Sequence, residues 1–174
     1  VLFRSQNSDG NYLLLGGTDP LGAGKMDVWL IKIDSEGKEV WSRTYGGADH
    51  DTGFEVHSTS DGGYVIAART SENDNMQQVV VDSDDNATLS EVSEAYNYGH
   101  QDVLLIKADS EGREVWSRIL GGSRRDELSS FEPTNDGGYI LAGATNSFGA
   151  GGLDAWLIKV DSEGSIVRVP RHGS

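Results

Sequence analysis

The sequence predicts an all-β protein of about three four-stranded antiparallel meanders stacked face against face, and three observations carry that prediction. One unit recurs: Asp34-Ser35-Glu36-Gly37-Lys38-Glu39-Val40-Trp41-Ser42-Arg43 returns as Asp109-Ser110-Glu111-Gly112-Arg113-Glu114-Val115-Trp116-Ser117-Arg118, and its first half returns as Asp161-Ser162-Glu163-Gly164. Glycine turns of two kinds, Asp61-Gly62-Gly63 with its copy Asp136-Gly137-Gly138 and the Ser-Glu-Gly set, supply the positive-φ positions of tight hairpins. The third apolar run of each copy is apolar on consecutive positions, as in Val28-Trp29-Leu30-Ile31, Val103-Leu104-Leu105-Ile106 and Ala155-Trp156-Leu157-Ile158. A half-solvated strand would alternate, so these strands predict a sheet covered on both faces.

Taken in order, each copy reads as a short run, a Gly turn, an apolar run, a polar loop, a second apolar run, a Ser-Glu-Gly turn and a last run. In the middle copy these are strands from about Phe54 to Thr59, Tyr64 to Thr70, Asp102 to Asp109 and Glu114 to Leu120. Asp9, Asp61 and Asp136 mark spacings of 52 and 75, and Asp34, Asp109 and Asp161 mark 75 and 52, so the period is 52 with an insertion of 23 residues in the middle copy. That insertion, 71–98, is rich in Asp, Asn, Ser and Glu and lies outside the repeat. Four strands in a unit of roughly 40 to 50 residues indicate the blades of a β-propeller. The chain, 1–174, is one propeller fragment with blade 1 at about 8–47, blade 2 at about 48–122 and blade 3 at about 123–170. Closed propellers need about four to eight blades, so further blades of the same protein are expected beyond both ends, with a two-fold homo-oligomer as the alternative route to a ring. Val1–Ser5 and Arg171–Ser174 depart from the repeat and are expected to be foreign to it.

Composition agrees with this. The chain has 174 residues, 36% hydrophobic, enough for a core of ordinary size, and 23 glycines against 3 prolines fit many tight turns. A formal charge of −14 spreads a negative field that repels phosphate backbones and anionic headgroups, which argues against nucleic acid as a partner. The absence of cysteine excludes disulfides, thiolate metal sites and a Cys nucleophile. No apolar run approaches the roughly 20 residues that span a bilayer, and the first residues lack the basic-then-apolar order of a signal peptide.

Trp41 to Gly47, Asp61 to Ala68 and Asp102 to Gly112, then Trp116 to Gly122, Asp136 to Gly143 and Asp154 to Gly164, follow the pattern W-x-x-x-x-G-G, D-G-G-Y-[IV]-x-A-G, D-x-W-[LI]-I-K-x-D-x-x-G. The chain in this respect resembles a β-propeller repeat family of bacterial and archaeal exported and cell-surface proteins, distantly like quinoprotein-type and Kelch-like propellers. Leu104 departs where other copies carry Trp29 and Trp156, and Arg168 departs where Trp41 and Trp116 stand. Asp34-x-x-Gly37-x-x-x-Trp41 is similar to the tryptophan-docking turn of quinoproteins, without its Thr. The resemblance implies an extracellular or cell-surface location and a non-catalytic binding or scaffold module for protein or glycan. The alternative it implies is part of a quinone-dependent or glycan-active enzyme whose site lies in other blades.

Candidate sites are few. Asp27, Asp102 and Asp154 each open a third strand; a metal or acid/base ring is conceivable, but recurrence points to capping of turn N–H groups. Lys32, Lys107 and Lys159 recur likewise and read as ion-pairing or snorkelling strand residues rather than a catalytic set. In the insertion, Asp82, Asp84 and Asn86 with the Thr88 carbonyl imitate the start of a calcium loop, though Ala87 replaces the turn Gly and Ser93 the bidentate Glu, so a solvated acidic loop competes with calcium binding. Asn86-Ala87-Thr88 fits a glycosylation acceptor. His50, His57 and His100 accompany no Gly-x-Ser-x-Gly elbow and suggest no triad, so no catalytic residue and no further cofactor is expected.

Overall fold

In a computed structural model the chain is described at residues 3–6, 10–19, 21, 25–71, 78–81, 87–90, 101–122, 124–149 and 151–167, with backbone alone at 3–6, 78–81 and 87–90. Among these residues it is all-β. The strands are β1 (Phe3–Gln6), β2 (Tyr12–Thr18), β3 (Asp27–Ile33), β4 (Glu39–Tyr45), β5 (Asp51–Ser58), β6 (Tyr64–Thr70), β7 (Gln78–Val81), β8 (Ala87–Ser90), β9 (Asp102–Ala108), β10 (Glu114–Leu120), β11 (Asp126–Pro133), β12 (Tyr139–Thr145), β13 (Asp154–Val160) and β14 (Ile166–Val167). They form three sheets in the orders β1-β2-β3-β4, β5-β6-β9-β10-β7-β8 and β11-β12-β13-β14. Each is a propeller blade, and its first four strands pair antiparallel with their neighbours. Phe3 to Ser5, which read as foreign in sequence, pair together with Gln6 as the first strand of the blade, Gln6 opposite Tyr12 as Ser58 is opposite Tyr64.

The insertion, expected as a solvated loop, contributes two strands. β7 joins the outer edge of β10 in parallel, Ile119 opposite Gln78 and Leu120 opposite Val79, and β8 returns antiparallel to β7. Gln78-Val79-Val80-Val81 is rich in β-branched residues, which favour pleated strands, and β10 otherwise leaves a row of unpaired backbone groups.

The middle blade is buried on both faces, and β9 is buried at every position. Tyr64, Ile66, Ala68, Leu104, Ile106 and Ala108 pack towards the first blade, in one core with Leu13, Leu15, Val28 and Leu30. Val65, Ala67, Val103 and Leu105 point the other way into a second core with Leu128, Phe131, Leu141 and Ile158. Period-2 alternation thus divides one continuously apolar strand between two junctions.

Side-chain volume is exchanged between copies. Trp29 and Trp156 lie opposite Gly16 and Gly143, whereas Leu104 lies opposite Ala68. The missing Trp at Leu104 is therefore matched by a larger partner. The same trade holds across junctions: Leu15 fills the space at Gly53, where an added Cβ would meet Leu15 Cγ at 2.5 Å, and the equivalent pair in the second core is Ala67 and Leu128. Close packing leaves no room for both members to be large.

Blades are also locked near the Ser-Glu-Gly turns. Asp34, Asp109 and Asp161 each accept two turn N–H bonds on Oδ1 at 2.8–2.9 Å, holding Gly37, Gly112 and Gly164 at φ of 83°, 73° and 79°. The indole of Trp41 lies on Gly112 of the next blade, and that of Trp116 on Gly164 of the next. Arg43 and Arg118 lie 5.7 and 5.5 Å from the rings of Trp41 and Trp116. The Tyr45 hydroxyl donates to Gly112 O at 2.7 Å, and Trp41 meets Tyr64 edge-on at 5.7 Å. No helix among the described residues is long and apolar enough to cross a membrane.

Candidate functional site

The calcium candidate Asp82, Asp84 and Asn86 falls outside the described residues, and Thr88 is described only as backbone within β8. Among the described residues, no three His, Cys, Asp or Glu side chains come together to hold a metal ion. The chemistry that is present sits where the third strand of one blade meets the first strand of the next.

There the backbone crosses between blades: Asp51 N donates to Met26 O and Asp126 N to Gln101 O, both at 2.6 Å. Each bond brings a first-strand Asp beside the Asp that opens the preceding third strand, so Asp51 meets Asp27 and Asp126 meets Asp102. All four are at most 5% exposed. Turn capping, which the sequence suggests for Asp102, belongs to its neighbour: Asp126 Oδ2 accepts from Gly122 N at 2.8 Å and Ser147 Oγ at 2.6 Å, and Asp51 Oδ2 accepts from Gly47 N at 3.1 Å. The Oδ1 atoms of Asp51, Asp102 and Asp126 are buried with no donor facing them.

An ionised carboxylate stripped of water and donors is costly, and a second negative charge beside it adds to the cost. Burial, then the charge of Asp126 and a hydrogen bond with it, push the Asp102 carboxyl up to about 8. At neutral pH the Asp102 carboxyl is therefore largely protonated beside Asp126. Burial likewise raises Asp51, offset in part by bonds from Thr70 and Gly47 N. A carboxyl whose pKa is moved towards neutrality has the character that acid/base catalysis uses. Here the pairing recurs at both junctions, so its first role is to join blades.

Two of the three recurrent lysines, Lys107 and Lys159, form ion pairs. Lys107 Nζ donates to Thr59 Oγ1 at 2.7 Å and Asp61 Oδ1 at 2.9 Å, and Lys159 makes the matching contacts to Thr134 and Asp136 at 2.9 Å. Hydrogen bonds from Thr59 and Lys107 lower Asp61 to about 2. Lys32 turns instead to the next blade, donating to the Tyr64 hydroxyl at 3.2 Å. His57 also bridges blades, with Nε2 3.1 Å from Phe131 O and 3.2 Å from Glu55 Oε1. The residue-by-residue sequence reading overlooked Asp51 and Asp126 as partners. The available signal is spacing: Asp27 to Asp51 and Asp102 to Asp126 are both 24 positions.

No protein-family model matches the sequence. The chain is similar to Regulatory protein FlaEY of Caulobacter vibrioides, 26% identical over 152 residues; the match covers 82% of this chain and 15% of that protein's length.

Proposed function

We propose that this chain is a non-catalytic binding or scaffold segment of an exported or cell-surface β-propeller protein, related to the bacterial and archaeal repeat family it resembles, and that it engages a protein or glycan through the stretch from Thr70 to Tyr98. One observation carries the reading. The conspicuous charged sets among the described residues, the strand-opening Asp, the strand Lys and the turn Asp, recur from blade to blade with architectural partners, whereas the inserted stretch has no counterpart in the other copies and extends the middle blade beyond β10 through β7 and β8. Binding residues are disproportionately carried by connecting segments that a rigid scaffold positions.

The test exchanges the insertion for its counterpart in the first blade, residues 71–101 replaced by the sequence of residues 19–26. Both chains are applied to a glycan array and to an array of surface proteins from the same source. Binding that the parent shows and the exchanged chain loses, with unchanged far-ultraviolet circular dichroism, supports the reading. Binding that survives the exchange, or turnover of a glycan by the parent, overturns it.

A further inference from the structure

The geometry points to the open face of the first blade as a docking surface for one more blade of the same repeat, whose last strand carries Trp-x-Arg and sets its indole on Gly37. This rests on the fold and is independent of what the insertion binds. Two junctions within the chain are built this way. A Cβ added at Gly112 would stand 2.9 Å from Trp41 Cζ3 and from Arg43 Cγ, and one at Gly164 would stand 2.8 Å from Trp116 Cζ3 and 3.0 Å from Arg118 Cγ. Arg118 also donates to Glu163 O of the next blade at 3.3 Å. Gly112 and Gly164 are buried by these contacts.

Gly37 occupies the same turn, with the same Asp34 bonds and a φ of 83°. It is exposed, and no atom of the described residues lies within 4 Å of where its Cβ would stand. The face around it continues the pattern. Tyr12, 36% exposed, and half-buried Leu14, Trp29 and Ile31 stand at positions whose middle-blade counterparts Tyr64, Ile66, Leu104 and Ile106 are at most 2% exposed beneath the first blade. A surface that is covered at two of its three occurrences, with the receiving glycine already in the same positive-φ conformation, is complementary to the element that covers it elsewhere.

The occupant is identified by the knob. In β4 and β10 the docking strand reads Glu-Val-Trp-Ser-Arg, while in the third blade Arg168 stands at the Trp position and Pro170 at the Arg position. A second copy of this chain therefore lacks the indole, and a blade ending in Trp-x-Arg supplies it.

The chain itself provides the probe. A variant with Arg168→Trp and Pro170→Arg is compared with the parent by sedimentation equilibrium, and acrylamide quenching of tryptophan fluorescence reports whether Trp29 becomes covered. Burying an aromatic anchor in a preformed slot is expected to tighten head-to-tail association at least about tenfold. Adding Gly37→Asn, a residue that tolerates positive φ but fills the slot, is expected to return association to the parent level with the fold intact. Three results would overturn the inference: association of the variant no tighter than the parent, tighter association that survives Gly37→Asn, or a parent that already associates as tightly as the variant.

Discussion

Replacing each of the three turn glycines by alanine separates backbone strain from blade docking, because the three share one conformation and differ in what lies above them. At Gly37, φ 83°, an added methyl meets nothing among the described residues, so the cost is the left-handed conformation alone, about 1 kcal/mol. At Gly112 the same strain applies, but the methyl would lie 2.9 Å from Trp41 Cζ3 and 3.0 Å from Cη2, closer than carbon atoms approach. The indole must lift, losing burial of a large apolar side chain worth roughly 1.5–3 kcal/mol. Gly164→Ala repeats this against Trp116, at 2.8 Å. The expected losses are thus about 1 kcal/mol at Gly37 and about 3 kcal/mol at Gly112 and Gly164. For a chain of this size that separates the melting temperatures by roughly 4–8 °C. Urea unfolding followed by tryptophan fluorescence measures all three. Equal losses at the three glycines would refute the claim that Trp41 and Trp116 hold neighbouring blades through Gly112 and Gly164.

Further outcomes follow from the same contacts. Asp102, raised to about 8 in the folded chain from an ordinary value of 3.8, stays protonated when the unfolded chain has lost its proton, so its contribution is full below about 4 and declines as pH rises to 8. The protein is expected to unfold at lower urea at pH 8 than at pH 5, and Asp102→Asn, which removes the titrating group, should flatten that difference; a slope unchanged in the variant would contradict the raised Asp102 carboxyl. Asp61, lowered to about 2, stabilises above its ordinary value and loses that contribution as pH falls towards 2. Lys107→Met should reduce this acid-limb slope without abolishing it, since the Thr59 hydroxyl is the larger cause, and acid titration by circular dichroism reads the change. Leu104→Trp should cost about 1–3 kcal/mol by overpacking against Ala68, and Ala68→Gly in the same chain should recover at least half of that, as measured in a double-mutant cycle. Additive losses would remove the volume-exchange argument.

Much of the architecture was legible because it is local and repeated. Gly37, Gly112 and Gly164 close hairpins through bonds to an Asp three positions before them, and consecutive apolar residues from Val103 to Ile106 require cover on two sides whatever supplies it. The candidate sites were less legible. The Asp102 carboxyl gains its character from Asp126, which sits on a different blade, and its neighbour takes the turn bonds that a local reading assigns to Asp102 itself. The insertion looked like a loop because its acidic composition outweighs one short β-branched run, and only the unpaired edge of β10 turns Gln78–Val81 into a strand.

By itself the sequence determined the repeat, its period, the hairpin turns and the two-sided burial of the third strand, all of which depend on residues close along the chain. Tertiary structure alone decided which glycine receives which tryptophan, which carboxylates are buried beside one another and where large side chains alternate with small ones. Those are properties of junctions between blades, set by the close approach of groups dozens of positions apart, and no stretch of sequence contains both sides of a junction.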